Sequence, residues 1–238
     1  MPLWNEDEVK MKAIIATAGL IVIAAQAADA QTIFRKVETK KPGFNLTAKV
    51  PVFTHKTPVA LMTNSAMIAW VKSAQLTFAK ESGKPTKDSI VKEYTWDATP
   101  TVSYFYAPRL ASVLFNVYSY TGGAHPNSNY QVFNYGMIDG KAKRLKITDL
   151  FRKGTSASDI KQQISDLVIN KLRLDERASF APEKLTEAQL ASFVIKRDGI
   201  TYLFAPYEVG PYAVGSFEIK LSLSELGPDF RRALILAR

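Results

Sequence analysis

Ser112-Val113-Leu114-Phe115-Asn116-Val117-Tyr118-Ser119-Tyr120-Thr121-Gly122-Gly123-Ala124-His125-Pro126-Asn127-Ser128-Asn129-Tyr130-Gln131-Val132-Phe133-Asn134-Tyr135 reads as two strands around a glycine loop. In the first run, Ser112 to Tyr120, Val113, Phe115 and Val117 fall on one face and Leu114, Asn116, Tyr118 and Tyr120 on the other, the period of an extended chain. The second run spans Asn129 to Tyr135. Gly122 and Gly123 permit the positive φ of a tight reversal, and Pro126 pushes His125 towards an extended conformation that sets the direction of its imidazole.

Outward from this pair, more strands are expected. Tyr94 to Tyr106 is rich in Thr, Tyr, Val and Phe, with Pro108-Arg109 as the turn before Ser112. After Tyr130 to Met137, Asp139-Gly140 is a hairpin signal, and Leu145 and Ile147 continue the meander to Thr148-Asp149-Leu150-Phe151. Three or four consecutive antiparallel strands follow from this. Upstream, Gln31 to Gly43 is polar and reads as a flexible lead-in, while Phe44 to Phe53 alternates as a half-buried strand that Pro51 places at an edge or an end.

Two stretches change period. Met67, Trp70, Val71, Ala74 and Phe78 form the stripe of an amphipathic helix from about Asn64 to Lys80, capped by Thr63 or Asn64 and ended by Gly83 and Pro85. Ile160, Ile164, Leu167, Val168 and Leu172 form a second stripe after a Ser156 or Ser158 cap. Thr186-x-x-Gln189 resembles a capping box, Val194 to Phe204 a second hairpin around Asp198-Gly199, and Phe217 to Leu223 a last strand. Strands and helices do not alternate regularly, so the expected class is α+β: antiparallel sheets packed with two main helices, in two intimately associated halves with a soft boundary near Arg109.

Composition restricts the chemistry. The 238 residues are 47% hydrophobic and contain no cysteine, which removes thiol nucleophiles, thiolate metal sites and disulfides. Residues 1–30 read as a signal peptide. Lys12 precedes a thirteen-residue apolar run from Ala13 to Ala25, too short to span a bilayer, and Ala28-Asp29-Ala30 is a small-x-small cleavage site. The acidic Met1–Lys10 is unlike an n-region, so translation is expected to start at Met11 and the mature chain at Gln31. The expected location is periplasmic or secreted, with no membrane span after cleavage. Residues 1–30 contain two basic and four acidic groups, so the formal charge rises from +9 to +11 on their removal. That balance suits an anionic envelope polymer, or serves solubility alone; no basic recognition helix points to nucleic acid.

Two motifs, in this order, resemble a known family. They are Ser112-Val113-Leu114-Phe115 with Tyr120-Thr121-Gly122-Gly123-Ala124-His125, Asp139-Gly140-Lys141, Leu145 and Thr148-Asp149-Leu150-Phe151; and then Phe204-x-Pro206-Tyr207-Glu208-Val209-Gly210-Pro211-Tyr212-Ala213-x-Gly215. They are similar to the RsiV-like extracytoplasmic domain family, long labelled as of unknown function, whose best-understood member is a lysozyme-sensing anti-sigma factor. The resemblance runs from Phe44 to Leu226. It implies residues 31–108 as the usual preceding partner domain and residues 109–238 as the RsiV-like domain. It also implies an α+β fold with packed halves and the non-enzymatic binding role of the sensing member. Other members precede polysaccharide deacetylase domains.

The expected site consists of Tyr120, Gly122, Gly123, His125 and Asn127 on one loop, with Tyr207, Glu208, Pro211 and Tyr212 on the other. His125 is a loop anchor, a ligand contact, or a general base or metal ligand that lacks an obvious partner. Tyr207 and Tyr212 either recognise a ligand or plug the junction before the last strand. Lys141, Lys143, Arg144, Lys146, Arg152 and Lys153 form a solvated face or an anionic-polymer contact. The expectation is an exported binding protein without catalysis, cofactor or metal. Its partner would be an envelope component or an extracellular protein, lysozyme-like or related to peptidoglycan. The alternative is a cell-wall glycan hydrolase using Glu208 and a second carboxylate.

Overall fold

A computed structural model describes residues 32–236 of the chain. The signal-peptide and Met11 readings lie outside these residues. Among the described residues, no helix is long and apolar enough to cross a membrane. The architecture is α+β, as the irregular order of strands and helices implies.

The chain begins with β1 (Thr32–Lys41), which pairs antiparallel along its whole length with β2 (Phe44–Phe53). The expectation of a flexible lead-in is therefore corrected. Five of the ten residues of β1 are Lys, Arg or Glu, and such charges suit an edge strand, whose outer side meets water. In β2, Phe44, Leu46, Ala48 and Val50 are buried on one face. Pro51 lies beyond Ala48, where pairing with the next strand ends, so its missing N–H breaks no ladder bond.

Helix α1 (Pro58–Glu81) starts a turn and a half before the position read from the sequence. Thr57 is the cap, its Oγ1 accepting from Ala60 N at 3.3 Å, and Pro58 occupies the first helical position, where a missing N–H costs nothing. The two residues expected as caps work inside the helix. Thr63 donates to the Val59 carbonyl, and Asn64 clamps both backbone groups of Phe53, accepting from its N at 3.0 Å and donating to its O at 2.9 Å.

The chain then enters β3 (Tyr94–Tyr106), β4 (Leu110–Tyr120), β5 (Asn127–Ile138) and β6 (Lys141–Arg144), completing a sheet in the order β1-β2-β3-β4-β5-β6. All pairs are antiparallel except β2–β3, which run parallel because α1 carries the chain back between them. Asp139 and Gly140 turn the β5–β6 hairpin with φ of 48° and 79°, both left-handed as a type I′ turn requires. The meander stops at Arg144; Ile147–Leu150 forms a 3₁₀ turn instead of more strand.

Helix α2 (Ala157–Arg173) is capped by Ser156, and the short α3 (Glu187–Ala191) opens with the Thr186–Gln189 capping box. A second sheet follows, β7 (Phe193–Lys196), β8 (Gly199–Phe204) and β9 (Phe217–Ser222), antiparallel in that order. One core lies between α1 and the large sheet, where Trp70 meets Trp96, Phe115 and Phe133. The other lies among α2, the small sheet and the end of the large one. The odd-numbered face of β4 (Val113, Phe115) serves the first core. On the opposite face, Leu114 packs with Val132 against Val194 and Leu203 of the small sheet. The boundary near Arg109 falls in the β3–β4 hairpin, so both halves share the large sheet.

Candidate functional site

The loop after β4 and the loop between β8 and β9 meet in space, through contacts between residues 82 and 86 positions apart. Gly122 turns the first with φ +87°, and a Cβ there would approach Val91 Cγ2 to 3.2 Å, so glycine meets both a conformational and a steric demand. Gly123 is not left-handed; its carbonyl instead accepts from the Tyr120 hydroxyl at 3.0 Å. The second loop is closed at its base by Glu208, whose carboxylate accepts the Ala205 N–H at 2.5 Å. This places Tyr207 at φ +74°, a left-handed conformation that side chains other than glycine adopt at a cost of about 1–2 kcal/mol.

The His125 ring stacks on Tyr212, centroids 3.8 Å apart and planes 20° apart. Its Nδ1 lies 2.9 Å from the Pro126 carbonyl, and a carbonyl can only accept, so Nδ1 carries the proton. In the neutral ring Nε2 then holds a lone pair, and the Tyr207 hydroxyl faces it at 3.3 Å. The Tyr212 hydroxyl donates to the same Pro126 carbonyl at 3.0 Å, tying ring and loop together. Tyr207 is 59% exposed while His125 and Tyr212 are half-buried, so the group opens to solvent and is not sealed in the core.

Beside it runs a groove of about 370 Å³, reached through Pro206 and Gly215 of the second loop and lined by Asp97, Asn116, Tyr118 and Asn129. Its polar walls belong to β3, the outward face of β4 and the start of β5. The sequence contained this signal in the polar side of the β4 alternation, but nothing local connects that side to the Pro206–Gly215 loop.

The remaining expected site residues have simpler surroundings. Asn127 is exposed at the first paired position of β5, and Pro211 is exposed where it accepts from Val214 N. His55 lies near Phe105, away from the loops. Among the described residues, no group of three His, Asp or Glu side chains converges as a metal site would require. The basic group also divides: Lys143 pairs with Asp149 at 2.6 Å, Arg144 and Lys146 border a groove against α3, and Arg152 turns to a different cleft.

Residues 148–224 match the model of a family described as Protein of unknown function, DUF3298. The matched residues span most of the 3₁₀ turn together with α2, α3 and the small sheet. Over 188 residues, 76% of its length, the chain is 26% identical to the peptidoglycan-N-acetylmuramic acid deacetylase PdaC of Bacillus subtilis. Over 148 residues, 61% of its length, it is 27% identical to esterase Rv3036c of Mycobacterium tuberculosis. The matches span 38% of the deacetylase and 63% of the esterase.

Two crystal structures share the fold. One is a DUF3298 family member from Bacteroides fragilis, with TM-score 0.53 and 19% identity, covering 84% of this chain and 93% of that one. The other is a DUF3298 family protein from Pseudomonas aeruginosa, with TM-score 0.55 and 15% identity, covering 87% of this chain and 96% of that one.

These findings contradict the expectation of a binding protein, since both curated relatives bear the names of enzymes. The alternative, a glycan-active cell-wall hydrolase, loses the role it gave Glu208. The Glu208 carboxylate closes its own turn through Ala205 N, which leaves it a structural task.

Proposed function

We propose that this protein hydrolyses an acyl ester on an envelope carbohydrate outside the cytoplasm, with His125 as general base and Tyr207 as hydrogen-bond donor to the reacting carbonyl. The observation that carries the reading is the Nε2 lone pair of His125, its tautomer set by the Pro126 carbonyl, facing an exposed tyrosine hydroxyl at 3.3 Å. A base oriented by a third group and placed beside a second polar side chain is the recurring plan of acyl-transfer sites. The strained backbone of Tyr207 adds weight, because left-handed side-chain-bearing residues concentrate at such sites.

Water adds to the acyl carbonyl carbon while His125 Nε2 takes its proton. Tyr207 Oη donates to the carbonyl oxygen as that oxygen becomes negative. Collapse expels the sugar oxygen, which takes the proton back from His125, so an ester and water yield an acid and an alcohol. Asn116 and Asn129 in the neighbouring groove offer amide donors and acceptors to sugar hydroxyls. The names of the two curated relatives, a deacetylase and an esterase, both describe removal of an acyl group, and the RsiV-like resemblance supports an extracytoplasmic location.

The test is acetate release from acetylated peptidoglycan fragments. Wild type should turn over, and His125→Ala and Tyr207→Phe should each slow it about 10²-fold, in the range of a lost acid–base or oxyanion contact. Tyr207→Phe should unfold at the wild-type temperature, since it removes only an exposed hydroxyl, while His125→Ala also gives up the half-buried stack on Tyr212 and is checked for the native fold by circular dichroism. No release by wild type, or equal release by His125→Ala, removes the reading.

A further inference from the structure

A second site lies at the other end of β4. The strand has eleven residues at about 3.3 Å each, so Arg109, just before it, is about 35 Å along the strand from the His125 loop. Here the chain's last described segment folds back on the large sheet. Phe230 bridges Phe151, Arg231 N donates to Leu150 O at 2.7 Å, Arg152 N donates to Asp229 O at 2.8 Å, and the Tyr104 hydroxyl donates to the Ile235 carbonyl. The segment borders an open cleft of about 720 Å³, within the range of small-ligand sites.

Four arginines, Arg109, Arg152, Arg231 and Arg232, line this cleft beside Met137 and Phe230, and among the described residues no carboxylate does. Only Arg231 has an anionic partner among the described residues, Asp139 at 3.2 Å, and its Nε is committed to the Phe151 carbonyl at 2.6 Å. Arg109 and Arg232 each spend one donor on a backbone carbonyl, Ala233 at 3.2 Å and Leu223 at 3.0 Å. Those bonds aim the guanidinium groups and leave most of their five donors free. Four like charges around one cavity repel each other, and an anion placed between them removes that repulsion and gains fork-shaped contacts.

We infer that the Arg109–Arg152–Arg231–Arg232 cleft binds a phosphate-bearing ligand, its apolar or sugar body resting on Met137 and Phe230. A carboxylate offers two oxygens and satisfies one guanidinium fork. A phosphate ester offers three oxygens and up to two charges, which suits several forks converging from different directions. The ligand is a soluble phosphate ester or the headgroup of a phospholipid, which share this chemistry.

The full chain is titrated calorimetrically at fixed ionic strength with inorganic phosphate, glycerol 3-phosphate and sodium acetate, and by sedimentation with phosphatidylglycerol vesicles. Saturable binding of a phosphate probe, weakened about tenfold or more by Arg152→Gln and by Arg109→Gln, is the expected result. Lys153→Gln removes an equal charge one residue away but outside the cleft lining, and should leave affinity within about twofold. Saturation by glycerol 3-phosphate identifies a soluble ester, and saturation by vesicles alone identifies a headgroup. The inference fails if no phosphate probe saturates, if acetate binds as tightly as phosphate, or if Lys153→Gln weakens binding as much as Arg152→Gln.

Discussion

Tyr202 shows how strictly the interior treats a single polar atom. Its ring is fully buried beside Phe193, and its hydroxyl has no hydrogen-bond partner among the described residues. Leaving such a group unpaired costs about 1–3 kcal/mol, so Tyr202→Phe should raise stability by about 1 kcal/mol in chemical denaturation. Burial also pushes the hydroxyl's pKa well above its usual 10. Folded protein then keeps a proton that the unfolded chain releases, so stability declines as pH rises above about 10, and Tyr202→Phe should remove that part of the decline. An unchanged alkaline unfolding curve in the variant would count against this account. Tyr207 stands at the other extreme: its hydroxyl is exposed and faces an imidazole, and its backbone is strained to put it there.

Between elements, the join of α2 to the small sheet is electrostatic as well as apolar. Glu225, in the turn after β9, is held down to about 2, first by the bond from Lys171 of α2 at 2.6 Å, then by the hydroxyl and N–H of Ser222 at 2.7 and 2.8 Å. A depressed carboxylate stabilises the fold above its unfolded value of 4.5 and ceases to do so as pH falls towards 2. The pair is one-third exposed, so solvent screening limits the contribution to about 1 kcal/mol or less. Acid denaturation of Glu225→Gln should accordingly begin from a lower stability at pH 7 and show a shallower fall between about pH 5 and pH 2. A parallel fall in both proteins would rule the pair out. The caps at Ser156 and Thr186 and the Asp139-Gly140 and Asp198-Gly199 turns were all legible in the sequence, because each is a contact between residues at most a few positions apart. Thr57 was missed as the α1 cap because the buried stripe that opens with Val59 and Ala60 is interrupted by the polar Thr63 before Met67, and a threonine there reads as a cap although Thr57 and Pro58 set the start.

At the scale of the whole molecule, the two sheets are locked by buried polar side chains. Ser112 donates to Asn134 Oδ1 at 2.7 Å and accepts from Ile195 N at 2.9 Å, while Asn134 Nδ2 donates to the Phe193 carbonyl at 2.7 Å. Each bond answers an otherwise unpaired group between β4, β5 and β7. Asn134→Ala should therefore cost about 2–3 kcal/mol, more than the loss of its packing, with Phe193 O and Ser112 both left wanting. Thermal unfolding should remain a single transition, since the large sheet runs unbroken through both halves. A loss below about 0.5 kcal/mol would show that the lock does not bind the sheets.

The amino-acid sequence by itself determined the α+β class, the two amphipathic helices, most strands and the two stiff loops, because periodicity, caps and turns act over a few residues. It did not determine that β1 is a strand, since its ten residues are extended only by pairing with β2. Nor did it determine that His125 meets Tyr207 and Tyr212, or that Arg109, Arg152, Arg231 and Arg232 surround one cleft. Those encounters join residues up to 123 positions apart (Arg109 to Arg232), and only the packing of the small sheet and of the closing segment on the large sheet brings them within reach.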